Sequence, residues 1–350
     1  MQEISYSKAI LETIRNEMKK DRRIVLMGED IGRLGNTFKV LDGLWDEFGS
    51  ERVIEAPISE ASIVGAAIGA ALSGLIPVFE IMYIDFATLA MEQIINRAAK
   101  MSYMSGGELN LPLVIRTQGG GRSCQAAQHS QSLEALFCHI PGLKVCMPSC
   151  PNDARGLLIT AIKDNNPVIF IEHKMLYSKK GFVDENEDGI PFACAKIRKE
   201  GKDVTIISWS DMVNYSLEAA NDLENEGINA EVIDLRTLVP LDKETIFNSV
   251  KKTGKVLIAH EAIRRGGYGA QISSLISENI FPYLKSPIKI IAAKNYPIPF
   301  SPSRIKPIGY GAMPSLVELL EKCTDPLEEY VLPQKKQIID CAKQLFNYTS

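Results

Sequence analysis

The sequence lacks any CxxC pair. Its seven cysteines stand at positions 124, 138, 146, 150, 194, 323 and 341, and Cys146 and Cys150 flank Met147-Pro148-Ser149 with no histidine at finger spacing. That spacing excludes a zinc ribbon or a thioredoxin-type motif and predicts free thiols in a reducing compartment. Long apolar runs are missing too. The longest, Ile63 to Leu72, falls well short of the roughly 20 residues that span a bilayer, so a buried helix is expected there and no membrane partner. Basic charge is not in excess: 39 Lys and Arg face 43 Asp and Glu, for a net charge of −4. Without phosphate-neutralising charge, no nucleic-acid partner is expected. Met1 to Tyr6 runs into an amphipathic stretch with no basic-then-apolar leader, and the expected location is cytoplasmic. Internal repeats and low-complexity tracts are absent as well.

What is present fits an ordinary globular chain. Of 350 residues, 45% are hydrophobic and 23% charged, and this length predicts two domains of about 150 residues each. Helical periodicity alternates with short β-branched runs. Helices are expected near 5–20, 40–48, 60–74, 86–104, 130–139 and 151–163, and strands near 24–27, 52–54, 77–81, 113–116, 144–147 and 168–171. Such alternation predicts an α/β fold with a parallel sheet wrapped by helices. The polar stretch from 178 to 202 predicts a linker, which divides the chain into domains 1–177 and 203–350. In the second unit, strands are expected near 203–207, 230–234, 256–259 and 288–291, with helices near 212–226, 243–253, 268–280, 313–323 and, at the end, 334–347.

Several motifs invite chemistry, and each has a plain alternative. Gly119-Gly120-Gly121 has neither GxGxxG spacing nor a following Lys-Ser/Thr, so a flexible loop is expected in place of a phosphate cradle. Ser59-Glu60 is ordinary helix-capping chemistry. Phe86 opens a helical stretch and can be a core aromatic. Among the four histidines, His129 stands out because Gln128, Ser130 and Gln131 surround it with polar groups, whereas His139 lies in an apolar stretch and His173 and His260 read as structural. Asp164-Asn165-Asn166-Pro167 reads as a turn after a helix.

Four segments in fixed order carry a stronger signal: Met27-Gly28-Glu29-Asp30, Ala56-Pro57-Ile58-Ser59-Glu60, Ala126-Ala127-Gln128-His129-Ser130-Gln131-Ser132 and Asp234-Leu235-Arg236-Thr237. Together they resemble the β chain of the E1 components of 2-oxo acid dehydrogenase complexes, and the resemblance covers essentially the whole chain. It implies a transketolase-like fold: a domain that holds the pyrimidine end of thiamine diphosphate, followed by a smaller α/β C-terminal domain. It implies further that Glu60 is the carboxylate on N1′ of the aminopyrimidine, that Phe86 packs against that ring, and that Ile58 and Met82 line the same pocket. His129 is then placed at the mouth of the site, near the substrate or the incoming lipoyl group. A potassium ion is implied at Leu113, Ala161, Ile162, Asp164 and Asn166.

One absence matters most in this light. Enzymes of this type hold the diphosphate through magnesium at a Gly-Asp-Gly followed some residues later by Asn-Asn, and this chain has no Gly-Asp-Gly. The implied magnesium therefore belongs to an E1 α subunit, the assembly is an α2β2 heterotetramer, and the further partner is a lipoyl-E2 acyltransferase. The implied reaction is oxidative decarboxylation of a 2-oxo acid of the pyruvate type. Acetoin and branched-chain 2-oxo acid dehydrogenases are alternatives within the family, and a catalytically silent scaffold of the same fold is the alternative outside it.

Overall fold

In a computed structural model, which describes residues 1–184, 186, 188–300 and 326–349, the chain opens with β1 (Gln2–Ser5) and α1 (Tyr6–Lys20). Helix α1 forms because Tyr6, Ala9, Ile10, Thr13, Ile14 and Met18 fall on one buried face, and Ser5 caps it by accepting the Lys8 N–H at 3.2 Å. There follow β2 (Ile24–Gly28), α2 (Leu44–Phe48), β3 (Val53–Glu55), α3 (Glu60–Leu72) and β4 (Ile76–Ile81). A single helix over 86–104 does not form. A 3-10 turn (Ile84–Ala90), a π turn (Gln93–Ala98) and α4 (Met101–Met104) take its place. Thr88 donates its hydroxyl to the Asp85 carbonyl at 2.9 Å, a local bond that competes with the α-helical ladder. Next come β5 (Val114–Gly119), α5 (Glu134–Cys138), β6 (Lys144–Cys146), α6 (Pro151–Lys163) and β7 (Val168–His173). The helix expected from 130 starts only at Glu134, which leaves residues 120–133 as a loop.

The stretch expected as a linker carries two strands, β8 (Lys180–Val183) and β9 (Lys196–Lys199). Both are edge strands that bury at most one residue, Val183, so their polarity did not exclude pairing. The remainder is β10 (Val204–Ser208), α7 (Met212–Asn225), β11 (Ala230–Asp234), β12 (Thr237–Val239), α8 (Lys243–Thr253), β13 (Val256–Ile263), α9 (Tyr268–Ile280), β14 (Lys289–Ala293) and the helices Pro326–Val331 and Lys335–Phe346. The helix expected near 313–323 lies outside the described residues. Among the described residues no helix is long and apolar enough to cross a membrane.

Two sheets result. The larger has the order β12-β6-β7-β5-β4-β2-β3 and is parallel except at its edge, where β12 runs antiparallel to β6. The smaller has the order β14-β13-β10-β11-β9, parallel except for β9. Strands β2, β4, β5 and β7 are buried along their whole length, as parallel strands covered on both faces must be. Strand β12 follows the second domain's β11 yet completes the first domain's sheet. The Asp234-Leu235-Arg236-Thr237 motif explains this crossing, because it belongs to a buried ion network between the domains. Arg236 reaches Asp153 at 2.8 Å, Arg198 reaches Asp234 at 2.8 Å and also contacts Asp153, and Ser149 donates to Asp234 at 2.5 Å.

The order β3-β2-β4 makes β2 a switch point, since the chain leaves it to one side for β3 and crosses to the other for β4. In open α/β sheets ligands bind in the crevice beyond the carboxyl ends of strands at such a point. Here those ends lead to Glu29, to Ile58 and Glu60, and to Met82 and Phe86. Helix α3 is not buried all round as expected. Ile63, Val64, Ala67, Ile68 and Ala71 face the core, while Ala61, Ser62, Ala66 and Gly69 are exposed.

Candidate functional site

Glu60 is the first residue of α3, where the N-terminal end of the helix dipole favours a carboxylate. The capping alternative loses ground at Ser59, whose hydroxyl donates to the Pro57 carbonyl at 3.0 Å and makes no side-chain cap. Across the switch point lies Glu29. Burial first, and then the Asp30 and Glu60 carboxylates, push its carboxyl above the usual range. Three acidic groups thus share one mouth. Ile58 is 73% exposed, so within this chain it lines nothing. Met82 and Phe86 are half-buried, and the Met82–Tyr83 peptide is cis.

His129 and Phe86 are brought together. Their rings lie 5.3 Å apart at 79°, and Tyr83 meets the same imidazole at 5.2 Å and 72°. The histidine is wedged edge-on between two aromatic faces, a favourable ring geometry. The loop that carries it begins after β5, and Gly120 N–H closes its base on the Gln131 carbonyl at 3.1 Å. Within it Arg122, Cys124 and Ala126 have φ of 67°, 54° and 64°, conformations that a non-glycine residue keeps only when its surroundings impose them. Gly120, at φ +87°, has no room for a side chain, since a Cβ would stand 2.1 Å from His173 Nε2.

The residues of the implied potassium site gather where α6 ends. The Leu113 carbonyl accepts Val168 N–H at 2.9 Å, the Ala161 carbonyl accepts Asp164 N–H at 3.3 Å, and Asp164 Oδ1 accepts Asn166 N–H at 2.8 Å. Ile162 is buried beside them. The other Asp164 oxygen pairs with the Lys144 ammonium. A carbonyl-rich helix C-terminus suits a monovalent cation, though Lys144 already supplies positive charge there.

A second constellation, not anticipated from sequence, fills the seam between the sheets. His173 Nε2 stands 3.2 Å from both oxygens of Glu261, which also accepts Gly121 N–H at 2.7 Å and has Arg122 Nε at 3.4 Å. Asp211 lies in the same buried group. His173 and Arg122 hold the Glu261 carboxyl well below the carboxylate range despite its burial, and Glu261 in turn raises His173 against the opposing effect of desolvation. Trp209 Nε1 donates to Glu134 at 3.2 Å, and burial pushes that carboxyl up to about 7. Trp209 also stacks on His260 at 5.1 Å and 9°, and burial lowers His260 to about 4. The Glu261 contacts close the seam like a clasp, while both ring nitrogens of His260 and Glu134 Oε2 are buried with no hydrogen-bond partner among the described residues. Another missed residue is Lys174, whose buried ammonium contacts the His129 carbonyl. Glu172-His173-Lys174 directly after Val168-Ile169-Phe170-Ile171 was the available signal, because three polar residues ending an apolar strand point to buried partners.

Comparison with known proteins fits this geometry. The descriptors "Transketolase, pyrimidine binding domain" and "Transketolase, C-terminal domain" match residues 2–180 and 193–310. The pyruvate dehydrogenase E1 component subunit beta of Rickettsia felis is 40% identical over 347 residues, covering 99% of both chains. The 2-oxoisovalerate dehydrogenase subunit beta of Bacillus subtilis is 42% identical, over 87% of this chain and 94% of its own. The acetoin:2,6-dichlorophenolindophenol oxidoreductase subunit beta of Cupriavidus necator is 45% identical, over 86% of this chain and 91% of its own. A solved structure described as a split gene transketolase, inactive beta4 tetramer, shares the fold with a TM-score of 0.75 at 24% identity, covering 99% of both chains. With its switch-point carboxylates and its match along both domains, the chain belongs to the β-subunit family of 2-oxo acid dehydrogenase E1 components.

Proposed function

We propose that the chain acts with an E1 α subunit, as an α2β2 heterotetramer, in the oxidative decarboxylation of pyruvate and the transfer of the acyl group to lipoyl-E2. The observation that carries this reading is Glu60, a carboxylate at a helix N-terminus on the switch point with the Phe86 and His129 rings nearby. Thiamine diphosphate, when bound, supplies an electron sink for the carbanion left by decarboxylation. Glu60 shares a proton with N1′ of the aminopyrimidine, and Phe86 offers the ring an apolar face. Ile58 and Met82 complete that wall. His129 moves a proton at the substrate mouth. Magnesium and the diphosphate fall to the α subunit. The exposed small-residue face of α3 permits close packing against another subunit and supports the assembly. Potassium sharing Asp164 with Lys144 belongs to the same proposal, as does a cytoplasmic location.

Pyruvate is adopted because a relative of that name matches end to end. Identities to the acetoin and 2-oxoisovalerate relatives are similar, so the assay carries all three substrates. The decisive test is Glu60→Gln in the reconstituted complex. Glutamine keeps size and contact but cannot accept the proton, and exchange of the cofactor's C2 proton and turnover should fall about 10² to 10⁴-fold with the melting temperature almost unchanged. Exchange at the wild-type rate would remove Glu60 from the chemistry.

A further inference from the structure

Lys174, the residue after β7, is 1% exposed. Its ammonium donates to Gln125 Oε1 at 2.8 Å and to the His129 carbonyl, and it lies 5.2 Å over the Tyr83 ring. None of these partners is a carboxylate, so the charge is buried against an amide, a carbonyl and a π face, a costly arrangement. Burial lowers the ammonium to about 8, opposed by Asp85 from the 3-10 turn, Glu261 from β13 and Glu328 from the helix Pro326–Val331.

What this cation holds is specific. Gln125 and His129 both lie in the loop with three left-handed non-glycine residues, a conformation that needs outside support. On the other side of the histidine, Asp85 Oδ1 accepts both the backbone N–H and the side-chain amide of Gln131, at 3.3 and 2.8 Å. Lys174 therefore grips the loop at 129 and Asp85 grips it at 131. Tyr83 lies under the ammonium and meets the imidazole in a T-shaped contact, so it touches both the cation and the histidine.

We propose that Lys174 is a positioning residue for His129: through the His129 carbonyl and Gln125 it fixes the strained loop so that the imidazole stays wedged between Tyr83 and Phe86, without itself touching substrate. This rests on the role given to His129 above. The test uses the chain co-expressed with its α subunit and compares Lys174→Met, His129→Gln and the double variant. Lys174→Met should lose about 10²-fold in kcat/KM, the scale of a misplaced reacting group. The double variant should be no worse than His129→Gln alone, because Lys174 acts only through the histidine. Lys174→Arg keeps a cation and its donors, so it should restore most activity at neutral pH and move the alkaline limb upward.

Wild-type rates for Lys174→Met, or losses that multiply in the double variant, would overturn the proposal. The chemical modification rate of His129, read by peptide mass spectrometry with diethylpyrocarbonate, gives an arm independent of turnover. It should rise several-fold in Lys174→Met, and an unchanged rate also overturns the idea. If the wild-type complex consumes no 2-oxo acid while the modification rate still rises, the E1 reading fails and the positioning role stands. Should Lys174→Met not assemble, Lys174→Gln, which retains a donor, carries the same comparisons.

Discussion

Glu60 and Glu261 both lie toward the carboxyl edge of a parallel sheet, yet their surroundings are opposite. Glu261 is buried with His173, Arg122 and the Gly121 N–H all on its carboxylate. Among the described residues, no hydrogen bond or ion pair holds Glu60, and its neighbours at the mouth are the like-charged Glu29 and Asp30. A carboxylate whose partners are all in its own chain contributes to folding. One left beside other acids in an open crevice is available to something from outside. The seam and the switch point divide along this line, which separates residues that hold the molecule together from residues that await a ligand.

The largest effect that can break this comparison is on stability. Glu261→Ala leaves His173 and the Arg122 guanidinium buried without their partner, and breaking a buried pair costs about 3 to 5 kcal/mol. Glu60→Ala should stay within about 0.5 kcal/mol, as surface substitutions do. Urea unfolding of the two variants in the assembled complex measures both. Equal losses would mean that the two sites do not differ in kind.

Much of this was legible in the sequence, and the misses share a cause. Periodicity placed α1, α6, α8, α9 and most parallel strands within a residue or two, because those elements are set by local apolar spacing. It also put Glu60 at a helix start. Helix 86–104 failed where Thr88 and Asp85 form a local bond, and β8, β9 and β12 were missed because their pairing partners lie far along the chain. His129 stood out in the sequence by its polar neighbours, and it lies beside Tyr83 and Phe86. Lys174 and the His173–Glu261 contact did not stand out, since a buried cation and a pair 88 residues apart become visible only once the sheets meet.

A second, smaller effect sharpens the comparison through pH. His173 is raised, so its contribution is full below its unfolded value near 6.5 and is lost as pH rises through its folded value. Glu134 is raised to about 7, so its contribution is full below about 4.5 and is lost as pH rises through 7, a loss that His260, lowered to about 4, offsets up to about 6.5, where it is neutral in both states. Glu261 is lowered, so its contribution is present above about 4.5 and is lost only in strong acid. Stability should therefore peak near pH 5 to 6 and fall by roughly 2 kcal/mol toward pH 8, by linkage. Glu134→Gln, which keeps an acceptor for Trp209, should flatten much of that fall. The same slope in wild type and variant, in denaturation at several pH values, would take Glu134 out of the seam's response.

The smallest effect on folding is expected at Ile58, where the comparison is finest. Two residues before Glu60, it is 73% exposed, and an isoleucine so placed gains little from its own chain. If the wall of the cofactor pocket is completed on assembly, that side chain becomes covered only then. Full burial of such a side chain is worth about 1.5 to 3 kcal/mol. Ile58→Ala should accordingly leave unfolding of the β chain within about 0.5 kcal/mol, while the dissociation constant of the α–β complex, or of the cofactor from it, rises roughly tenfold or more. Titration of the subunits by light scattering, with and without thiamine diphosphate, separates the two contributions. A dissociation constant that does not move would make Ile58 ordinary surface, and the open side of the switch point would then begin at Glu60.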